Sequence, residues 1–149
     1  MEHVLHIASL EEAKKELMRL KEASHVQVRN WGVAEICLHC AQTIEYAMVG
    51  YPVMKPALIR GTIGKIAIHK FLKQGYMKHD LSAHVEGGSK LDSDVDAHEG
   101  IQKLLDTIDL FQIYTRELKP HLLFGRLSKS EYDQYFAMHI ADHLNELEY

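Results

Sequence analysis

An all-α fold, a four-helix bundle with an additional helical segment around residues 57–75, is what three features of this sequence predict. Apolar residues recur at helical spacing in four long stretches, period-two strand alternation is absent, and helix-start signatures precede several of those stretches. A chain of 149 residues fits one domain, residues 1–149, and can bury a sizeable core.

The first helix is expected over about 9–23. Ser9 followed by Glu12 is a capping box, and Leu10, Ala13, Leu17 and Leu20 then repeat at helical spacing with Glu11, Lys14, Lys15 and Glu16 between them. Residues 24–30 read as a connection. A second helix follows from about Gly32 to Val49, apolar over most of its circumference and ended by Gly50 and Pro52. In the 57–75 segment Ile59, Ile63, Ile66, Ala67 and Phe71 share one side, while Gly61 and Gly64 argue against full regularity. From Met77 to Ala97 the composition turns to Gly, Ser, Asp and His. A connection of this length in a small domain crosses the bundle, covers a site or is partly mobile.

Asp94 or Asp96 caps a fourth main helix carrying Ile101, Leu104, Leu105, Ile108, Phe111 and Leu118, with Pro120 as its stop. The last helix is expected over 128–147. It opens on a second capping box, Ser128 with Glu131, and carries His139 and His143 one turn apart within a stripe formed by Tyr132, Tyr135, Phe136, Ile140, Leu144 and Leu147. Both imidazoles therefore point inward, close enough to share a metal ion.

Composition narrows the function classes. With 46% hydrophobic and 26% charged residues and a formal charge of −4, the chain has no general attraction for nucleic acid. No run approaches the ~20 apolar residues that span a bilayer, and Met1 to Ile7 do not resemble a targeting segment. Two cysteines are too few for a disulfide framework. A cytoplasmic protein is expected.

A pair of imidazoles does not fill a coordination sphere, so a third ligand should come from another helix. His39 is the candidate. On its helix Glu35, His39, Gln42, Glu45 and Tyr46 form a polar strip opposite the apolar centre, which suits either solvent or an internal water-accessible site, and the helical wheel leaves these two open. The plain alternative for His139 and His143 is a core pair satisfied by hydroxyls such as those of Tyr132 or Tyr135.

Trp31, the run Glu35-Ile-Cys-Leu-His39-Cys-Ala-Gln42, the turn Gly50-Tyr-Pro52, and Phe124-Gly125-Arg-Leu-Ser128-Lys-Ser-Glu131 leading into Met138-His139-Ile-Ala-Asp142-His143-Leu144 together resemble the DinB-like metalloenzyme superfamily, most closely an uncharacterised bacterial branch. The resemblance covers nearly the whole chain, with Gly32 standing where relatives often have a serine or threonine cap. It implies a divalent metal ion (zinc, nickel or iron) held by His39, His139 and His143. It also implies a thiol-dependent transferase, an isomerase or a hydrolase acting on a small molecule, possible substrates including a low-molecular-weight thiol. Asp142, Glu146, Glu35 and Gln42 lie near the right faces to support those imidazoles. His79 and His84, in the 77–97 connection, are expected to wall the pocket. The competing reading is a non-enzymatic bundle, a binding or stress-associated protein acting through a homodimer interface.

Other motifs carry less. Cys37 and Cys40 fall at the apolar centre of their helix and read as small buried hydrophobes. Asp92-Ser-Asp94-Val-Asp96 opens like a calcium loop, but Ala97 stands where glycine is needed and Lys103 where a bidentate glutamate is needed. Arg60, Lys65, Lys70 and Lys73 read as a solvated face. Glu22-Ala-Ser-His25 is a single Glu-x-x-His near a helix end and does not make a di-iron site.

Overall fold

Strong start signals and the apolar periodicity become helices where expected. The computed structural model describes residues 4–149 and is mostly helical. Its elements in order are α1 (Leu10–Glu22), β1 (Gln27–Val28), α2 (Val33–Val49), α3 (Ala57–Gly61), α4 (Ile63–Gln74), α5 (Ala97–Ile113), α6 (Lys129–Leu144) and β2 (Leu147–Glu148). Helix α2 packs along α5 and against α6, α1 lies against both α5 and α6, and α4 rests on α6. Among the described residues no helix is long and apolar enough to cross a membrane.

The caps explain the starts. At α6 the box is complete: the Glu131 N–H donates to Ser128 Oγ at 3.1 Å, and the Ser128 N–H donates to Glu131 Oε1 at 2.8 Å. At α1 it is displaced by one residue, because the Glu12 carboxylate accepts from the N–H of Ala8 rather than from that of Ser9. Asp96, not Asp94, caps α5 by accepting from Glu99. Gly32 begins α2 without a side-chain cap.

Four expectations on element bounds are corrected. Helix α5 stops at Ile113 instead of running toward Pro120. There Lys129 Nζ donates to the carbonyls of Gln112 and Tyr114, each at 2.8 Å, and takes up groups that a further turn would have used. Helix α6 stops at Leu144 because Asn145 is drawn off to bind the backbone of Leu5 through both ends of its amide. Leu147 and Glu148 then pair antiparallel with Val28 and Gln27, so residues read as a connection and a helix end become a short two-stranded ladder. The 57–75 segment divides at Thr62, whose hydroxyl donates back to the Leu58 carbonyl at 2.5 Å and diverts the helix.

Two glycines mark close approaches. A side chain at Gly100 on α5 would meet the backbone of Ala34 on α2, so α5 sits tightly against the first turn of the helix that carries His39. A Cβ at Gly64 would lie 1.9 Å from the carbonyl oxygen of Leu123, a backbone atom that cannot swing aside. Gly64 lets α4 seat on the turn His121–Gly125, whose two ends exchange backbone hydrogen bonds of 2.8 and 3.0 Å.

That turn is held from inside by His121, which is 5% exposed. Its Nδ1 accepts the N–H groups of Leu123 and Phe124, each at 3.1 Å, so the ring hydrogen is on Nε2 and donates to the Tyr135 hydroxyl at 3.2 Å. Burial, and then Lys65 nearby, push this imidazole down to about 3.

Gly64→Ala is expected to lower unfolding stability by about 1–3 kcal/mol, the cost of overpacking, despite the better helix propensity of alanine. Urea unfolding followed by circular dichroism measures it. The buried neutral His121 also predicts acid sensitivity: between the ordinary histidine range near 6.5 and about 3 the unfolded chain binds a proton that the native state does not, so stability falls as pH falls through this window. His121→Gln should flatten the plot of stability against pH there by about 1.4 kcal/mol per pH unit.

Candidate metal centre

Helix α6 supplies two inward imidazoles because positions 139 and 143 are one turn apart on its buried side. Helix α2 supplies the third. His39, His139 and His143 are 3%, 4% and 1% exposed, and each offers one ring nitrogen such that all three lie within 4.8 Å of one another. The Nε2 atoms of His39 and His139 are 3.3 Å apart. Rings 39, 139 and 143 meet at centroid distances between 4.8 and 5.1 Å.

The polar strip on α2 is thus internal at His39, and the reason is tertiary. The connection between α4 and α5 lies over the strip: Gln42 donates to the Ser89 carbonyl at 2.8 Å, and the Ser89 N–H donates to the Tyr46 hydroxyl at 3.0 Å. Trp31 covers the cluster from the start of α2, stacked on His143 at 5.6 Å and on the exposed His84 at 4.6 Å, and edge-on to His39.

His79 and His84 both lie beside the cluster. His84 closes the outside over Trp31, and its Nε2 approaches Glu35 at 3.9 Å. His79 comes closer than a wall: its ring lies 4.7 Å from those of both His139 and His143. Its signal in the sequence was only a histidine in an aperiodic stretch, and nothing local distinguishes it from His84. Of the four residues expected to support the imidazoles, Asp142 does bind a histidine ring, that of His79. Gln42 pins the connection instead.

The alternative of a hydroxyl-satisfied core pair is corrected. Tyr132 donates to the Lys119 carbonyl at 2.6 Å, and the Tyr135 hydroxyl is paired with His121. Neither serves His139 or His143. His39 Nδ1 is buried without a hydrogen-bond partner among the described residues. Burial foremost lowers all three imidazoles, His39 to about 4 and His143 to about 3, with neighbouring rings adding to it. They are therefore neutral near pH 7, which is the form that ligates.

The arrangement fits an ion. Two nitrogens bound at about 2.0–2.1 Å to one tetrahedral centre stand about 3.4 Å apart, close to the 3.3 Å separation of His39 and His139. An all-imidazole donor set suits zinc, nickel, iron or copper.

Cys37 and Cys40 take no part. Both are fully buried free thiols, and burial raises Cys37 to about 12 and Cys40 well upward, so neither is a thiolate. Asp92 accepts from the N–H of Asp94 in a local turn. Arg60 donates to the Lys55 carbonyl, Lys65 to that of Arg126, and Lys70 and Lys73 are exposed. His25 is exposed at the surface.

Fold and site define a mostly helical protein with a buried histidine cluster able to hold a metal ion. The chain belongs to the family described as "Protein of unknown function (DUF1569)", whose profile matches residues 1–149. No curated protein and no solved structure matches it significantly.

Proposed function

We propose that this protein is a divalent-metal protein of the DinB-like type, a four-helix bundle that holds zinc, nickel or iron through His39, His139 and His143 and uses it on a small-molecule substrate. The observation that carries the reading is the convergence of three buried, neutral imidazoles with one donor nitrogen each inside 4.8 Å. Three protein ligands leave at least one coordination position for water or substrate, the pattern of catalytic rather than structural sites. When bound, such an ion supplies Lewis acidity, which lowers the pKa of a water or orients a thiolate.

The chain's own residues define the surroundings. The apolar core below α2 and α6 excludes water from the donor nitrogens, and Trp31 with His84 forms the cover on the solvent side. A ligand entering there meets a stacked indole and imidazole face, which suits a small, partly planar or polarisable molecule such as a low-molecular-weight thiol or acid. Glu35, beside His84, sets an acceptor at the same edge.

A second reading rests on a different observation. Leu58, Ile63 and Ile66 are 75%, 64% and 70% exposed on α3 and α4, which supports a non-enzymatic homodimer joined across that face. The two readings separate by experiment: a dimer that lacks metal favours the second.

The test is elemental analysis of protein purified without an affinity tag, beside the His39→Ala, His139→Ala and His143→Ala variants. Near-stoichiometric divalent metal in the parent and its loss in each folded variant is expected. Equal metal content in all four proteins after chelation and reloading overturns the assignment. Binding should also raise the melting temperature, by mass action, with about 2.7 kcal/mol gained at free metal 100-fold above Kd.

A further inference from the structure

One stretch of the chain carries charge of a single sign. From Tyr46 to His79 there is no aspartate or glutamate, while Lys55, Arg60, Lys65, Lys70, Lys73 and Lys78 all fall within it. The whole chain holds 21 acidic residues against 17 lysines and arginines, so this basicity is local and the remainder is acidic. The stretch includes both α3 and α4.

Three of these cations are anchored. Lys55 pairs with Glu86 at 2.9 Å, whereas Arg60 and Lys65 donate to the carbonyls of Lys55 and Arg126, which do not cancel their charge. Lys70 and Lys73 on α4, and Lys78 beyond it, are exposed and have no anionic partner among the described residues.

Helical spacing collects the free charge beside apolar groups. Ile63, Ile66, Lys70 and Lys73 are three or four positions apart and share one side of α4. The buried Gly64 and Ile68 take the other side, where Gly64 seats the helix on Leu123. The outward side of α4 is therefore aliphatic at its start and cationic toward its end. Leu58 on α3 adds a third exposed aliphatic, and all three project from the surface.

A surface of this kind matches anionic lipid. The aliphatics enter between headgroups while the lysine stems lie along the boundary and hold their ammonium groups at the phosphates. A second copy of the chain, laid face to face by a two-fold axis, would set Lys70 and Lys73 against the same lysines, which repel. An acidic protein is best gripped by the planar fork of arginine, and here the one arginine of the stretch is engaged by its own backbone. Free lysines are flexible point charges, suited to a diffuse sheet of phosphates.

We propose that the outward side of α3 and α4 docks this protein on an anionic lipid surface, with Leu58, Ile63 and Ile66 entering the headgroup region and Lys70 and Lys73 set against lipid phosphates. The contact is peripheral, because α4 has 12 residues and lies along the surface rather than through it. It does not depend on the metal reading, whose three histidines are buried on α2 and α6.

The test is co-sedimentation of the full chain with vesicles of phosphatidylcholine alone, or of equal parts phosphatidylcholine and phosphatidylglycerol, at about 0.1 M salt. The parent is expected to bind the mixed vesicles, to ignore the neutral ones, and to release as salt rises. Lys70→Gln with Lys73→Gln should weaken binding by about 5-fold per lysine, about 30-fold for the pair. Ile63→Ser with Ile66→Ser should weaken it by roughly 10-fold, and Ile113→Ser, at an equally exposed aliphatic on α5, should leave it unchanged. All these side chains are exposed, and circular dichroism checks that each variant keeps its helices. A parent that does not sediment with the mixed vesicles, or that binds neutral vesicles equally well, overturns the proposal, as does a lysine variant with the parent's affinity. Two further results overturn it and reassign the face. A parent dimer that Ile63→Ser with Ile66→Ser turns into a monomer, without vesicle binding, makes it an interface between copies. Binding of soluble polyglutamate without vesicle binding makes it a site for an acidic protein.

Discussion

Three imidazoles packed ring against ring beside a dry core share that space only while they are uncharged, and most of the site's architecture follows from this constraint. Desolvation keeps His39, His139 and His143 neutral, and each added ring makes protonation of the others more costly. Each neutral ring keeps one nitrogen lone pair, the form in which an imidazole can ligate a metal ion. The 3.3 Å approach of His39 Nε2 to His139 Nε2 is the close contact that this packing produces.

Helix α6 is the element on which the constraint is met. Besides its two histidines it presents Asp133 to the N–H of Leu10, Asp142 to His79, and the cap residue Asn145 to Leu5. Each of these polar side chains fixes a segment distant in sequence at its proper depth. The N-terminal segment, the start of α1 and the connection after α4 are thereby docked on the same helix that carries the donor pair. Tyr132 and Tyr135 on this helix bind Lys119 and His121 rather than the rings of His139 and His143.

The cluster draws on long helices and on the backbone that connects them. His39, His139 and His143 sit on long helices whose register is set by apolar packing, and Gly100 holds α5 against the first turn of α2. His79, Trp31 and His84 sit on connecting backbone at the solvent side. The family to which the chain belongs is defined over residues 1–149, so all of these residues fall within it.

The amino-acid sequence by itself determined the local features: the helices of α1, α2 and α6, the serine caps of α1 and α6, and the inward pair His139 and His143, because period and capping are read from neighbours a few residues apart. It also placed Cys37 and Cys40 in the core, since their helix position alone dictates it. Tertiary structure decided what depends on distant partners. The ends of α5 and α6 were set by Lys129 and Asn145, and the pairing of residues 27–28 with 147–148 joins segments more than a hundred positions apart. His39 became internal only because the connection after α4 covers its strip, and His79 reached the cluster only because Asp142, 63 positions away, holds it there. Neither residue differs locally from an exposed histidine; burial is a property of what packs on top, and periodicity carries no record of that.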